Sequence, residues 1–161
     1  MNNLPGAIIA AIGVTLSLAA FFAVLGVFFP YRLGRIEAAL DSMPGRAFIV
    51  GLVNLLFFGA VVLVLFSIAD RLNSVGLRLI AVIGLSVIAI GLSFGLTAVA
   101  RFVGGRVRSQ ASDLAQTTWG AALLALACAL PFIGWFGLLP FVAALGLGSF
   151  ILSFFARPAS L

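Results

Sequence analysis

The amino-acid sequence predicts an all-α integral membrane protein: a bundle of about five transmembrane helices and one short helix on the membrane surface. Of the 161 residues, 64% are hydrophobic and only 8% are charged, and the mean hydropathy is +1.33. A soluble domain cannot hide that much apolar surface, whereas a bilayer covers it with lipid. We therefore expect residues 1–161 to form a single transmembrane domain.

The first predicted span is the apolar run 7–29. As a helix it would measure about 34 Å, enough to cross a hydrocarbon core of about 30 Å. A secretory signal peptide would start with positive charge and have a shorter apolar core. Residues 1–6 carry no charged side chain, so we expect the run to be retained as a helix.

A short amphipathic segment follows near residues 31–41. Leu33, Ile36 and Leu40 recur there at helical spacing. The polar positions of the same segment are Arg32, Arg35, Glu37 and Asp41. One apolar and one charged face predict a helix that lies on the membrane surface.

The second and third predicted spans are residues 47–69 and 79–103. Pro44 and Gly45 favour a turn before the second span, and a short polar link separates it from the third. The polar residues of the third run are Ser86, Ser93, Thr97 and, at its boundary, Arg101. We expect the following residues 104–110 to be a flexible basic loop.

The fourth and fifth predicted spans come from one long uncharged stretch. Residues 119–156 contain no charge and would measure about 57 Å as a single helix, too long for one crossing. The segment 131–137 is the expected break, with spans at 114–130 and 138–155. Ser112 and Asp113 suit the start of the fourth helix as cap and negative charge. A hairpin that does not cross fully would lower the number of spans.

Orientation follows from the arginines, because cytoplasmic loops are enriched in basic residues. All nine basic residues are arginine. With the N-terminus outside, the inner segments hold seven of them, Arg32, Arg35, Arg46, Arg101, Arg106, Arg108 and Arg157, and the outer link holds Arg71 and Arg78. We therefore predict an inner (cytoplasmic) membrane protein with a cytoplasmic C-terminus. The expected interface anchors are Arg32, Arg35, Arg46, Arg101, Arg106, Arg108, Trp119 and Trp135.

The residues that usually carry chemistry are scarce. Histidine is absent, and Cys128 is the single cysteine, expected to be a packing residue. The four acidic residues, Glu37, Asp41, Asp70 and Asp113, lie at span ends or in links, whereas proton relays and ion sites need ionisable groups at membrane depth. We expect no catalytic set, no metal site, no cofactor and no enzymatic activity.

Small residues four apart predict close helix packing. The pairs are Gly13 with Ser17, Gly91 with Gly95, and Ala144 with Gly148. Asn54 is the most polar side chain inside the spans, and we expect its amide to bond a neighbouring helix. A contact to a ligand or pigment is the alternative.

From about Pro44 onward the chain resembles the multi-helix membrane region that accompanies bactofilin-like, polymer-forming proteins of bacteria. The resemblance rests on Pro44-Gly45-Arg46, the arginines that close the segment 93–108, Pro131-Phe132-Ile133-Gly134-Trp135 and Gly146-Leu147-Gly148. It implies a membrane anchor for a scaffold. The chain departs from the pattern: it has no polymer-forming segment, it begins with an additional span, and its 70–76 link lacks a Gly-x-Pro turn. No functional residue is carried over.

The sequence therefore favours a non-catalytic accessory or structural subunit that stabilises a larger membrane complex, for example a respiratory or photosynthetic assembly. Its expected partners are membrane lipids and other membrane subunits, and not nucleic acid. One alternative is a small oligomeric channel or carrier for a neutral or lipidic solute, with a path lined by Asn54, Ser86, Ser93 and Thr97. Another is a lipid-directed enzyme, which would need Asp113, Asp70 or Glu37 near a headgroup.

Overall fold

In the computed structural model, which describes residues 4–108, 110–128 and 132–155, the chain forms α-helices and one π-helical segment and no strand. The elements are α1 (Leu4–Phe28), α2 (Pro30–Ser42), α3 (Pro44–Arg71), α4 (Val75–Val107), α5 (Asp113–Cys128), the π-helix Ile133–Leu138, and α6 (Leu139–Phe155). The predicted all-α class is confirmed.

Prolines and a serine cap set the helix starts. Pro30 and Pro44 stand in the first turn of α2 and α3, where proline's missing N–H has no intrahelical partner to lose. Ser74 caps α4 by accepting a hydrogen bond from the Leu77 backbone N–H. At Phe29 the chain leaves helical geometry, and α2 turns by 105° from the second half of α1.

Three helices are long and apolar enough to cross a membrane: α3, α4 and the continuous segment Phe136–Phe155. The bent pair Leu16–Phe28 and Pro30–Ser42 makes a fourth if it counts as one span. These counts refer to the described residues, and they indicate a membrane-embedded protein. The predicted total of five spans is not confirmed.

The described part of α5 begins one residue before the predicted fourth span. Its 16 residues measure about 24 Å, less than a hydrocarbon core of about 30 Å. The prediction ran to residue 130, and α5 is described as far as Cys128. The hairpin residues 129–131 themselves lie outside the described part of the chain.

α4 is longer than the predicted third span. It continues through Gly104 and Gly105 to Val107, where we expected a flexible loop. A Cβ at Gly104 would lie 1.8 Å from the Gln116 carbonyl oxygen, so α4 and α5 touch backbone to backbone. The glycines serve close helix packing, and the loop prediction was wrong.

α2 packs its apolar face against the bundle. Leu33 and Ile36 contact Ala98 of α4, and Leu40 joins a cluster with Val99 and Val142. The predicted short helix with these three buried residues is present. Its apolar face is covered by protein, whereas a surface helix was expected to rest on lipid.

The distal parts of α3 and α4, residues 60–86, form what we call the outer arm. The helices pack together where Val62 lies against Gly84. Taken over the most apolar 18 residues of each whole helix, 11% is buried in α3 and 17% in α4, against 39% in Phe136–Phe155. The exposed large side chains of the arm are Val61, Leu63, Val64, Ile68, Leu72, Val75, Leu79, Ile80, Val82, Ile83 and Leu85.

Candidate functional site

Charged residues mark both ends of the bundle. Arg78 and Arg101 are 23 residues apart on α4, which is about 35 Å along the helix axis and close to the thickness of a hydrocarbon core. Near Arg78, the exposed Asp70 pairs with it at 2.7 Å. We call the other group the charged end; it consists of Glu37, Asp41, Arg101, Arg106 and Asp113.

Arg101 is the centre of the charged end. Its Nη2 lies 2.7 Å from Oδ2 of Asp113, and its Nε lies 3.2 Å from Oε2 of Glu37. The side chain is only 15% exposed. Arg101 therefore joins α2, α4 and α5, although the sequence predicted an interface anchor at a span boundary.

The two contacts of Arg101 differ in quality. The Nε atom is buried and has no hydrogen-bond partner within the described part of the chain. Its contact with Glu37 is therefore an ion pair without an aligned hydrogen bond. Glu37 is the less well compensated of the two carboxylates, because charged groups taken from water need both charge and hydrogen bonds.

Burial raises the pKa of the Glu37 carboxyl above its ordinary value. The Arg101 guanidinium acts in the opposite direction, and the neighbouring carboxylates of Asp113 and Asp41 raise the pKa further. Glu37 lies on α2, outside the three long apolar helices. The loss of hydration at this position outweighs the attraction to Arg101.

Two further contacts attach α2 to its neighbours. Arg106 Nη2 lies 3.4 Å from Oδ1 of Asp41, and both side chains are largely exposed. Arg106 also stacks on Phe102, at 4.9 Å from the ring centroid. On the other side of α2, Arg35 donates a hydrogen bond to the carbonyl oxygen of Ser153 in α6.

A shallow cavity of about 510 Å³, widely open to the surface, lies between α2, α4 and α5 at the charged end. Its lining residues are Gly34, Glu37, Ala38, Asp41, Phe102, Gly105, Arg106 and Gln116. The carboxylates stand on the α2 wall, and the guanidinium and amide stand on the α4 and α5 walls. The cavity therefore offers groups of both signs to one ligand.

The hydroxyls predicted to line a path bond within their own helix. Ser86, Ser93 and Thr97 donate to the carbonyls of Val82, Ala89 and Ser93, respectively. Thr97 is fully buried and Ser86 is exposed. The three residues are seven and four positions apart and therefore lie on one stripe of α4. Along this stripe the side chains pass from exposed at Ser86 to buried at Thr97, and each hydroxyl is already bonded to a backbone carbonyl of α4.

Asn54 also bonds within its own helix. Its Nδ2 donates to the Val50 carbonyl at 2.7 Å. The side chain lines an apolar cavity of about 280 Å³ between α3, α4 and α6, with Gly91 and Leu147 among the other lining residues. The amide thus lies at this apolar cavity, and its described hydrogen bond does not cross to another helix.

The small-residue pairs lie in different settings. Gly95 contacts the backbone of Gly146, and Gly91 lies under Leu147. Ala144 and Gly148 of α6 face Gly51 of α3. At Gly13 a Cβ would meet no described atom within 4 Å, and Ser17 is exposed.

Gly51, Gly104 and Gly120 lie at close helix contacts that the sequence analysis did not predict. A Cβ at Gly120 would lie 1.7 Å from the Ala100 carbonyl oxygen. The signal was available, because Ala47 precedes Gly51 by four residues and Ala100 precedes Gly104 by four.

The remaining predicted anchors are mostly at exposed positions. Arg32, Arg46 and Arg108 are exposed, and the Arg108 guanidinium lies 4.9 Å from the Trp119 ring centroid. Cys128 lines an apolar cavity of about 330 Å³ between α1, α4, α5 and α6. The side chain of Trp135, and Arg157 as a whole, lie outside the described part of the chain.

Comparisons of the chain with protein-family models, curated protein sequences and solved structures give no match. Within residues 4–108, 110–128 and 132–155, no three His, Cys, Asp or Glu side chains are grouped to hold a metal ion. The site is therefore described by its own chemistry: a charged cavity at one end of an apolar bundle.

Proposed function

We propose that the protein is a non-catalytic membrane subunit that packs against a partner membrane protein and stabilises a larger complex. The observation that supports this proposal is the outer arm. Its two helices pack on each other along one face and leave their other apolar faces uncovered. A partner helix in the membrane gains packing contacts on such a surface, whereas lipid covers it less specifically.

The proposal includes the orientation and the finer topology. We place the N-terminus outside and the C-terminus in the cytoplasm, with α2 on the inner surface and five membrane-inserted segments. Arg101 and Arg106 of the charged end, together with the adjacent Arg108, outnumber Arg71 and Arg78 at the other end, as expected for a cytoplasmic charged end of an inner-membrane protein. A scaffold-anchoring role, implied by the bactofilin resemblance, stays a prediction.

The test is a site-specific photo-crosslink in the native membrane. A photoreactive residue replaces Leu63 or Ile83 on the outer arm, and a matched variant carries it at Val27, an equally exposed position on α1. Mild-detergent extraction, size separation and mass spectrometry then identify the adducts. One dominant protein adduct from the arm positions, absent at Val27, supports the proposal. Lipid adducts alone from all three positions contradict it.

A carrier or channel for a neutral or lipidic solute is the second candidate. The apolar cavity around Cys128 favours it, since this cavity lies between four helices and has room for a hydrocarbon chain. The hydroxyls of α4 donate to backbone carbonyls of the same helix, which counts against a polar path. A partner-free homo-oligomer that moves a fluorescent lipid across vesicles would favour this candidate over the accessory subunit.

A further inference from the structure

We propose that the cavity at the charged end binds the headgroup of a phospholipid that carries a primary ammonium and a phosphate, as in phosphatidylethanolamine. The carboxylates of Glu37 and Asp41 would receive the ammonium, and the Arg106 guanidinium would receive the phosphate. Gln116 lines the cavity with its Nε2 already donating to the backbone carbonyls of Arg108 and Ala111. This inference goes beyond the proposed function and does not depend on any protein partner.

The position of the cavity matches a headgroup. Glu37, Asp41 and Arg106 lie at or beyond the level of Arg101, about 35 Å along α4 from Arg78. Lipid headgroups begin where the hydrocarbon core of about 30 Å ends. The cavity of about 510 Å³ therefore opens at the depth where headgroups lie.

The charges of the lining favour a zwitterion. Two carboxylates and one guanidinium face the cavity, so a purely anionic headgroup would meet net repulsion from the wall. A simple cation would leave Arg106 without a new partner. A headgroup with both signs satisfies each wall, and an ammonium with N–H bonds makes charge-assisted hydrogen bonds that a trimethylammonium cannot.

The existing ion pairs of Arg106, Asp41 and Glu37 leave these side chains able to exchange partners. The Arg106–Asp41 contact is long, 3.4 Å, and the two side chains are 72% and 65% exposed. Exposed pairs of this kind contribute little to stability. Glu37 is held by Arg101 without an aligned hydrogen bond, so an ammonium in the cavity would supply the compensation that it lacks.

Glycine and alanine give the headgroup room. Gly34 and Ala38 form the α2 wall beside the carboxylates, and Gly105 lies opposite on α4. No described atom lies within 4 Å of a Cβ built at Gly34. A larger side chain at Ala38 would occupy this space without disturbing the core of the helical bundle, because Ala38 is exposed.

The experiment uses the full chain purified in detergent and four probes: short-chain phosphatidylethanolamine, phosphatidylcholine, phosphatidylglycerol and free phosphoethanolamine. Melting temperature and native mass spectrometry report binding. We expect phosphatidylethanolamine to bind at least about tenfold more tightly than phosphatidylcholine. Equal binding of the two, or tighter binding of phosphatidylglycerol, overturns the proposal. Tight binding of free phosphoethanolamine supports the headgroup chemistry and assigns a soluble source.

Variants locate the site. Asp41→Asn and Ala38→Leu should each abolish the preference for phosphatidylethanolamine, the first by removing charge and the second by placing a larger side chain beside the carboxylates, where the ammonium would lie. Asp70→Asn, at the ion pair of the opposite end, should keep the preference and serves as the matched control. If Asp41→Asn fails to fold, Ala38→Leu still decides. A preference that survives Ala38→Leu places the lipid elsewhere and overturns the proposal.

Discussion

Gly51 of α3 and Gly148 of α6 pack backbone against backbone. A Cβ at Gly51 would lie 1.7 Å from the Ala144 carbonyl oxygen, and one at Gly148 would lie 1.7 Å from the Ala47 carbonyl oxygen. Both carbonyls are backbone atoms that cannot rotate away. The two glycines therefore fix the closest approach between α3 and α6 and hold the outer arm to the rest of the bundle.

Gly51→Ala should destabilise the protein by about 2 kcal/mol, since overpacking a tight contact forces the backbone to shift. Thermal unfolding in detergent measures the change. Gly59→Ala is the matched control on the same helix, because no described atom lies within 4 Å of a Cβ there. The control should melt at the wild-type temperature or above it. A wild-type melting temperature for Gly51→Ala would contradict the backbone contact.

Arg101→Gln should cost about 1–2 kcal/mol, because it removes the shared cation of two carboxylates on different helices. The value is below that for a fully buried pair, since Asp113 is 67% exposed and solvent screens it. Arg78→Gln breaks an exposed pair of the same length, 2.7 Å, and should have almost no effect. Equal losses of melting temperature in the two variants would refute the special role of Arg101.

The pH dependence of stability should report Glu37. Its pKa is raised in the folded protein above the ordinary value of 4.5, so the stability associated with its protonated form is present below that value and is lost as the pH rises through the folded pKa. Glu37→Gln should therefore lose less stability than wild type on going from acid to neutral pH. Melting curves across that range test this, with Asp70→Asn as the exposed control. Parallel curves for wild type and Glu37→Gln would contradict the raised pKa.

Much of the fold was predictable because periodicity and charge report the environment directly. Leu33, Ile36 and Leu40 lie on one face of α2 and are buried, as their spacing predicted. What covers them was not predictable, since lipid and a neighbouring helix select the same apolar side chains. The contact of Leu40 with Val99 and Val142 joins residues far apart in the chain.

The wrong loop prediction has its physical origin in glycine. Gly104-Gly105 is typical of a linker, yet the same lack of a side chain lets α4 approach α5. The ion pair of Arg101 with Glu37 depends on the 105° turn that brings α2 back to α4, and the interface position of Arg101 stays a prediction. Hydropathy carries no information on such a turn.

The proposed orientation predicts opposite labelling at the two ends of the protein. In a Cys128→Ser background, single cysteines are placed at Ser42, beside the charged end, and at Val75, at the start of α4; both positions are exposed. A membrane-impermeant maleimide added to intact cells or right-side-out vesicles should label Val75→Cys directly. It should label Ser42→Cys only after permeabilisation, because arginine-rich segments stay on the cytoplasmic side.

Cys128→Ser without an added cysteine is the control for background labelling, and the native Cys128 should react poorly because it lines an apolar cavity. Direct labelling of Ser42→Cys together with protection of Val75→Cys would reverse the orientation. The reversed orientation would place the charged end, with its lipid cavity, in the outer leaflet. The headgroup there would then have to come from the outer-leaflet lipids, so the labelling result also determines which lipids are available to Glu37 and Asp41.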